Sequence, residues 1–465
     1  MADSAELRTP GAGAEKTPNR CAVAIVGAGF SGSMLAVHLT KVLPSGAKIA
    51  LADQSGLYGP GLAFGRCADE HLLNVRAGKM SALPDRPDDF VRALATADAD
   101  VFAPRRVFGD YVGRLLEAKA EQGGAIEMIA AEVVDVRGEA GNFVVQTLDG
   151  RYVHAGSVVL ATGNFSPRRL LEHARNCGRV IEDPWDFDRL SSLPMDAQVL
   201  IVGTGLSGLD CLVSLAKRSF RGKIHMVSSR ALFPQPHAQD ADAAMPPLSV
   251  LRARTALTLL RSMRAAAADA AKPAADWRCV VDGLRPYTQQ LWQCLDDRER
   301  RRFLRHVRPY WEIHRHRIAP QILAVRDAML QTGQLSVRAA RIVELEQRPN
   351  ALTVRIRGRG RRDHDVLEVG WVINCTGPES DYERIGSLLI TNLLRRGRIR
   401  KDPLSLGLAA TAAGEILGAD HAPAQGFFTI GPPLRGVLYE TTAVAEIRMQ
   451  AQTLAERIGA TVRTR

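Results

Sequence analysis

Two glycine-rich turns have residue types and spacings that suit the binding of phosphate. Gly27, Gly29 and Gly32 form the pattern G-x-G-x-x-G after a short β-branched run that ends at Val26, and a helical pattern follows. The first glycine permits a tight strand-to-helix turn, the second lets the backbone approach a pyrophosphate, and the third allows close helix–strand packing. The N–H groups that begin the helix would face the anion. The pattern therefore predicts a dinucleotide site.

A carboxylate follows this turn at the spacing that such a site needs. A second predicted strand, residues 48–53, ends in Asp53, which lies 21 residues beyond Gly32. Dinucleotide-binding folds use an acid at this place to bind the adenosine ribose. Strand, helix and acid together predict a dinucleotide without a 2′-phosphate; the alternative is a glycine-rich turn in another kind of α/β protein.

The second turn repeats the first but has a different ending. Gly203, Gly205 and Gly208 follow an apolar strand, and the next strand ends in the sequence Ser228-Ser-Arg230 instead of an acid. A carboxylate there would repel a ribose 2′-phosphate, whereas hydroxyls and a guanidinium bind it. The second site is therefore predicted to bind NADPH through Ser228 and Arg230. An ordinary polar turn, with NADH as the dinucleotide, is the alternative.

Each glycine turn is followed by a hydrophobic strand that ends in Ala-Thr-Gly or Cys-Thr-Gly, at Thr162-Gly163 and again at residues 375–377. This pairing is typical of flavoproteins that bind two dinucleotides. It predicts an α/β fold with two Rossmann-like domains, in which the NADPH domain is inserted into a discontinuous FAD domain. The predicted divisions are a flexible tail at 1–20, the FAD domain at 21–195 and 366–465, and the NADPH domain at 196–365 with a helical insert at about 248–331.

The pattern within these divisions predicts further elements. Strands are expected at 336–346 and 352–357, and a terminal helix within 440–458 should pack back on the FAD domain. Thr162 and Gly163 are expected to contact FAD.

Composition and charge exclude several classes of protein. The 465 residues are 46% hydrophobic with a net charge of +11, and arginine supplies most of the positive charge. No nucleic-acid-binding module accompanies this charge, so an anionic small ligand fits better than a nucleic acid. No apolar stretch approaches the ~18 residues of a membrane span, and neither membrane attachment nor a metal site is expected. A homo-oligomer is left open.

The seven cysteines are scattered and odd in number, and Cys-x-x-Cys does not occur. The sequence therefore supports neither a redox dithiol nor a zinc ribbon. A reducing, cytoplasmic location is expected.

Further motifs run through the rest of the chain, and together they resemble one family. They lie at residues 59–65, 71–75, 80–84, 103–109, 183–185, 311–320, 374–378, 431–436 and 439–448. Over roughly residues 22–456 the chain is similar to the bacterial FAD/NAD(P)-binding flavoproteins that include flavin-dependent N-hydroxylases and urate hydroxylases. It departs from them at Arg76, where the family usually has proline. Pro432 replaces the aspartate of disulfide-reductase-type flavoproteins, which argues against a dithiol reductase.

The resemblance implies a monooxygenase. NADPH would reduce FAD, O₂ would add at the flavin C4a as a hydroperoxide, and the distal oxygen would pass to a small polar nitrogenous substrate such as an amine, an amino acid or a purine. Two alternatives stay open. One is an NAD(P)H-dependent flavin oxidoreductase that passes electrons to a quinone or a partner protein, and the other is a non-catalytic flavin-binding regulatory protein.

Several side chains are candidates for this chemistry. Asn74 is the predicted catalytic residue, because an amide beside the flavin ring can hydrogen-bond both the reduced ring and a peroxide; a turn-capping amide is the alternative. By resemblance, Gly431 and Arg435 lie where related flavoproteins close over the flavin.

Trp311, His314, Arg315 and Arg317 of a basic segment match the family motif, and three of them are predicted to bind substrate: Trp311, Arg315 and Arg317. Arginine recognises carboxylate and phosphate groups with two parallel hydrogen bonds, so this group could hold NADPH or an amino-acid carboxylate. The alternative is an interdomain network of salt bridges.

Overall fold

The computed structural model describes residues 19–170, 177–238, 244–270 and 276–463. Most of the predicted tail lies outside these residues, but residues 19 and 20 already belong to the first strand. The strands are β1 (Asn19–Val26), β2 (Ile49–Asp53), β3 (Ile126–Ala130), β4 (Val133–Glu139), β5 (Asn142–Thr147), β6 (Tyr152–Leu160), β7 (Phe165–Pro167), β8 (Val180–Ile181), β9 (Val199–Val202), β10 (Ile224–Ser228), β11 (Leu335–Gln347), β12 (Leu352–Gly358), β13 (His364–Val369), β14 (Trp371–Asn374), β15 (Pro378–Glu379), β16 (Glu415–Leu417) and β17 (Pro423–Thr429).

The helices separate and follow these strands. They are α1 (Phe30–Val42), α2 (Gly61–Gly65), α3 (Asp89–Ala93), α4 (Arg105–Glu121), α5 (Phe187–Ser191), α6 (Leu206–Lys217), α7 (Leu248–Leu251), α8 (Ala256–Ala270), α9 (Trp277–Leu284), α10 (Thr288–Gln293), α11 (Asp297–Arg302), α12 (Arg308–Arg315), α13 (Pro320–Gln331), α14 (Leu388–Arg395), α15 (Arg435–Leu438) and α16 (Val444–Arg463). Helices α7 to α13 fill the stretch for which a helical insert is predicted.

Two sheets share one strand order. In the first sheet β3, β2, β1, β6 and β17 are neighbours and run parallel, while β4, β5 and β6 form an antiparallel meander. In the second sheet β11, β10, β9, β14 and β8 have the same arrangement, and β11, β12 and β13 form the meander. The predicted pair of Rossmann-like domains, one inserted into the other, is confirmed.

The predicted domain boundaries need a correction at two strands. The predicted FAD domain, residues 21–195 and 366–465, includes both β8 and β14. Main-chain pairing instead places both in the second sheet, where Val372 of β14 lies opposite Leu200 of β9 and Val180 of β8. The chain crosses between the sheets through β7 and β15, which pair with each other. Hydrogen bonding between distant strands decided this point, and the local pattern does not encode it.

Burial of apolar faces holds the first sheet between helices. One face of the first sheet packs on α1, α4 and α16, with Met34, Leu35 and Ile458 fully buried there. The terminal helix thus packs back on the first domain, as predicted. The other face of the first sheet packs on α14 through Ile390 and Leu393. No helix in the described ranges is long and apolar enough to cross a membrane.

Candidate functional site

The first glycine turn is held against the end of β6. Gly27 has φ +104°, and a Cβ placed on it would lie 2.3 Å from the carbonyl oxygen of Ala161. A side chain at this position is excluded both by conformation and by space. Thr162 and Gly163 follow directly, and the hydroxyl of Thr162 lies 3.4 Å from that of Tyr382. The predicted residues of both segments therefore meet at one edge of the sheet.

The N-terminus of α1 is open to an anion. Its N-cap residue is Gly29, and no side chain in the described part of the chain caps it. The backbone N–H of Ala28, within the turn, donates to Oδ2 of Asp53 at 2.8 Å, and Ser55 donates to Oδ1 through its N–H and its hydroxyl. Oδ1 thus has both of its lone pairs occupied, whereas Oδ2 can accept one further bond. Asp53 thus shapes the turn and retains acceptor capacity for a ribose, so this site fits the adenosine part of FAD.

Two more segments border this turn. Gly431 has φ +77°, and a Cβ there would lie 2.5 Å from Oγ of Ser31, in the first turn of α1. A Cβ on Gly61 would approach Cα of Gly29 to 2.7 Å. The C-terminal segment and the 59–65 segment therefore both reach the turn, and the predicted approach of Gly431 to the flavin stays a prediction.

The second glycine turn repeats this construction with more open space. A Cβ on Gly203 would lie 2.2 Å from the carbonyl oxygen of Cys375, and one on Gly208 would lie 2.5 Å from that of Gly203. A Cβ on Gly205, by contrast, meets no described atom within 4 Å. Gly205 is also the N-cap of α6, and no described side chain caps that helix. An uncapped helix start beside open space fits a pyrophosphate.

The end of β10 presents the polar groups predicted to bind the 2′-phosphate. Ser228 Oγ lies 2.9 Å from Oγ1 of Thr204 and accepts from the N–H of Ala231. The guanidinium of Arg230 lies 5.7 Å from the centre of the Tyr310 ring, and it donates to the carbonyl oxygen of Arg305. Its buried Nε has no partner among the described residues. The insert thus supplies an aromatic neighbour that sequence reasoning missed.

Asn74 lies where the two domains meet. Its carbonyl oxygen accepts from Nε2 of His237 at 3.0 Å, and the side chain of neighbouring Arg76 donates to the carbonyl oxygen of Ala238. The loop after β10 therefore rests on the loop that follows β1 and β2 of the first domain. The carboxamide of Asn74 makes no hydrogen bond within the described chain, so its predicted role beside the flavin stays a prediction. Sequence spacing gave no signal for His237.

The pKa of His237 makes this contact sensitive to acid. Burial is the largest cause, and together with the nearby Arg317 and Arg76 it lowers that pKa from 6.5 to about 4, against the opposing bond to Asn74. Between pH 6.5 and 4 the imidazole of His237 is therefore protonated in the unfolded chain but largely neutral in the native chain. We expect the free energy of unfolding to fall across this window by up to about 3 kcal/mol. His237→Gln should flatten that dependence, as urea midpoints at pH 7 and 4.5 would reveal, whereas exposed His364→Gln should not.

Trp311, Arg315 and Arg317 lie in a buried ionic network. Nε1 of Trp311 donates to Oε1 of Glu440 at 2.7 Å, and Nη2 of Arg315 donates to Glu446 at 2.9 Å. Arg317 pairs with Asp282. Burial alone would raise the pKa of Glu440, but Arg315, His316 and the Trp311 bond outweigh it and lower that pKa. The contacts of Trp311 and Arg315 reach the C-terminal segment, as in the interdomain network that was the alternative, whereas Arg317 pairs within the helical insert. The substrate role of all three stays a prediction.

Arg435 lies with the helical insert. Its Nη2 donates to Glu312 of α12 at 3.1 Å, and its guanidinium lies over the ring of Tyr439. The buried indole of Trp292 donates to the carbonyl oxygen of Gly436 at 2.9 Å. Arg435 thus ties the C-terminal segment to the insert, and its predicted contact with a cofactor stays a prediction. Tertiary pairing across more than 120 residues produced this arrangement, which no local pattern encodes.

The fold brings together two of the scattered cysteines. Sγ of Cys211, on α6, lies 3.7 Å from Sγ of Cys375, which follows β14. Both are buried, and the neighbouring thiol and burial raise the pKa of Cys375. A raised pKa leaves little of the reactive thiolate. The pair packs beneath the second glycine turn, and the described residues contain no cluster of three or more potential metal ligands.

Comparison with known proteins agrees with this geometry. Residues 24–165, which contain the first glycine turn and Asp53, match a family model described as FAD-NAD(P)-binding. This segment therefore has the sequence of a FAD/NAD(P)-binding domain. A search of curated proteins by sequence gave no match. The predicted resemblance to FAD/NAD(P)-binding flavoproteins is confirmed, and so is the predicted use of FAD and NAD(P) as cofactors.

Solved structures share the fold of this flavoprotein at low sequence identity. Ornithine hydroxylase from Pseudomonas aeruginosa in its reduced form is 14% identical, with a TM-score of 0.63 over 95% of this chain and 99% of that one. L-lysine 6-monooxygenase from Pseudomonas syringae is 17% identical, with a TM-score of 0.62 over 95% and 100%. Bacillithiol disulfide reductase from Staphylococcus aureus is 12% identical, with a TM-score of 0.58 over 95% and 99%. The flavoprotein has the fold of flavin-dependent NAD(P)H oxidoreductases.

Proposed function

We propose that this flavoprotein is an NADPH- and FAD-dependent monooxygenase that hydroxylates a small polar nitrogenous substrate, such as an amine, an amino acid or a purine. The observation that carries the proposal is the pair of uncapped helix starts, one beside Asp53 and the other followed by Ser228 and Arg230. Its fold is shared with an ornithine hydroxylase and a lysine monooxygenase.

The protein's own residues bind and orient the two dinucleotides. Asp53 and the N–H groups that begin α1 would hold the adenosine and pyrophosphate of FAD, and the start of α6 would hold the pyrophosphate of NADPH. The chemistry that bound FAD would supply is to accept a hydride and to activate O₂. Asn74, at the junction of the domains, would offer its amide to that centre, and the insert that contains Trp311 would help to exclude water.

Turnover with a panel of substrates tests the proposal. The purified holoprotein should consume NADPH and O₂ slowly by itself and faster with one member of a panel of amino acids, amines and purines. The product of that reaction should gain one oxygen atom from ¹⁸O₂. If NADPH and O₂ are consumed at one rate whatever compound is added, and no compound gains oxygen, the monooxygenase assignment is wrong.

A reductase that passes electrons to another acceptor is the second candidate. It is supported by the similarity of the fold to bacillithiol disulfide reductase. Rapid anaerobic turnover with a quinone, a dye or a disulfide, without any substrate-stimulated uptake of O₂, would favour it. A regulatory protein, the third alternative, would bind FAD without being reduced by NADPH.

The choice of dinucleotide is tested at Arg230. Its guanidinium is expected to form a charge-assisted hydrogen bond with the 2′-phosphate, an interaction of about 2–3 kcal/mol. Arg230→Ala should therefore raise the KM for NADPH by about 30- to 100-fold and leave the KM for NADH unchanged. Arg221→Ala, which removes an exposed arginine paired with Asp196 in the same domain, is the matched control. Equal effects on both dinucleotides would contradict the assignment.

A further inference from the structure

A buried polar cluster joins the first domain to helix α6 of the second. Arg105, the first residue of α4, donates from Nη1 and Nη2 to the two carboxylate oxygens of Asp210, at 2.7 and 3.0 Å. Four residues further along α6, Ser214 lies with its Oγ 2.9 Å from Nε2 of His71. The N–H of Arg105 donates to the carbonyl oxygen of His71, so both contacts come from one connected surface. We call these four residues the interdomain latch.

The geometry of the latch is strongly specified. Its four residues are between 1% and 9% exposed. The N–H of Ala68 donates to Nδ1 of His71, so neutral His71 has its proton on Nε2 and donates it to Ser214, whose hydroxyl then donates to Glu70. Nε of Arg105 donates to the carbonyl oxygen of Leu72. Each donor therefore has a defined acceptor, which fixes α6 in position and in rotation.

Stability alone does not account for such a cluster. Removing two charges from water is costly, and a buried ion pair is often no more stabilising than apolar side chains of similar volume. A fork of two parallel hydrogen bonds, however, selects one relative orientation. The latch is thus better suited to fixing geometry than to supplying free energy.

The position of the latch indicates which geometry it fixes. Asp210 lies two residues beyond Gly208, the last glycine of the second turn, and within the first turns of the helix that begins beside Gly205. His71 and Arg105 belong to the first domain, and His71 lies three residues before Asn74. The latch therefore links the start of α6 with the loop predicted to lie beside the flavin.

We propose that Arg105, His71, Asp210 and Ser214 are positioning residues that hold the NADPH-binding helix at the distance and angle required for hydride transfer to FAD. This inference rests on the proposed reduction of FAD by NADPH. Misplacement of reacting groups by about 1 Å can slow a reaction by about 100-fold. Loss of the latch should therefore slow flavin reduction without weakening the binding of either dinucleotide.

The test removes both charges together. Arg105→Met/Asp210→Leu leaves no unpaired buried charge. We expect it to retain FAD and to bind NADP⁺ within about threefold of the unaltered protein, while anaerobic reduction by NADPH in a stopped-flow instrument slows by about 30-fold or more. Reoxidation of the dithionite-reduced protein by O₂ should not change. The matched control is Arg106→Met/Asp69→Leu, which removes the adjacent exposed ion pair (2.9 Å) and should leave every rate unchanged.

A second variant and a second measurement address folding and cofactor chemistry separately. Arg105→Lys keeps the charge but loses the fork, and it should slow reduction by about tenfold. Spin labels at exposed Glu117 of α4 and Lys217 of α6, with Cys294 replaced by serine, should give one narrow distance in the otherwise unaltered protein and a broader distribution in the double variant. This distance does not depend on NADPH.

Each result decides the proposal. Reduction at the unaltered rate in Arg105→Lys, or an unchanged distance distribution in the double variant, would overturn it, and so would a loss of NADP⁺ binding that accounts for the slower reduction. If the unaltered protein is not reduced by NADPH at all, the proposed function fails, whereas a broadened distance in the double variant would still establish that the latch orients the domains.

Discussion

Gly205→Asp is expected to leave a folded yellow protein that NADPH reduces about 100-fold more slowly. A Cβ at position 205 meets no described atom within 4 Å, so the fold can accept a side chain there. The same open space lies at the uncapped start of α6. A side chain would occupy the approach of the pyrophosphate, and its carboxylate would repel it. A 100-fold effect corresponds to about 2.8 kcal/mol of lost binding.

The measurements distinguish a defect in NADPH binding at α6 from a defect in FAD binding at α1. FAD content and the flavin spectrum should match those of the unaltered protein, and dithionite should reduce the flavin normally. Gly386→Asp is the control, because Gly386 is exposed and a Cβ there also meets no described atom within 4 Å. Normal reduction of Gly205→Asp by NADPH would show that the dinucleotide does not bind at α6.

Asp53→Ala should produce protein that has lost most of its FAD. The carboxylate accepts the N–H of Ala28 inside the glycine turn and two bonds from Ser55, and it is the predicted partner of the ribose. Hydrogen bonds to a charged group are each worth about 1.5–3 kcal/mol. Loss of one or two of them should weaken FAD binding by about 100-fold, measured as the flavin-to-protein ratio after dialysis and by titration of the apoprotein.

Asp53→Asn distinguishes the contribution of the negative charge to FAD binding from the contribution of the bond that shapes the glycine turn. The amide oxygen can still accept from Ala28, so this variant should retain more FAD than Asp53→Ala. Asp149→Ala changes an exposed acid that pairs with Arg151 and should leave the FAD content unchanged. Full retention of FAD by Asp53→Ala would place the adenosine elsewhere.

Local sequence determined the parts of this molecule that depend on local geometry. The two G-x-G-x-x-G turns, the strands before them and Asp53 could be predicted because backbone conformation, helix starts and short spacings are encoded within about 30 residues. The helical insert and the terminal helix followed from hydrophobic periodicity in the same way. The resemblance of further motifs to known flavoproteins then predicted the family and its cofactors.

Tertiary structure decided what depends on pairing between distant segments. Main-chain hydrogen bonds placed β8 and β14 in the second sheet, against the predicted division of the chain. Chain folding gave Trp311 and Arg315 carboxylate partners more than 120 residues away, and it formed the latch between Arg105 and Asp210. Charge pairs of this kind have no sequence spacing of their own, because any arginine can pair with any acid that the fold brings near. The dinucleotide turns could therefore be read from the sequence, while the orientation of the two domains required the structure.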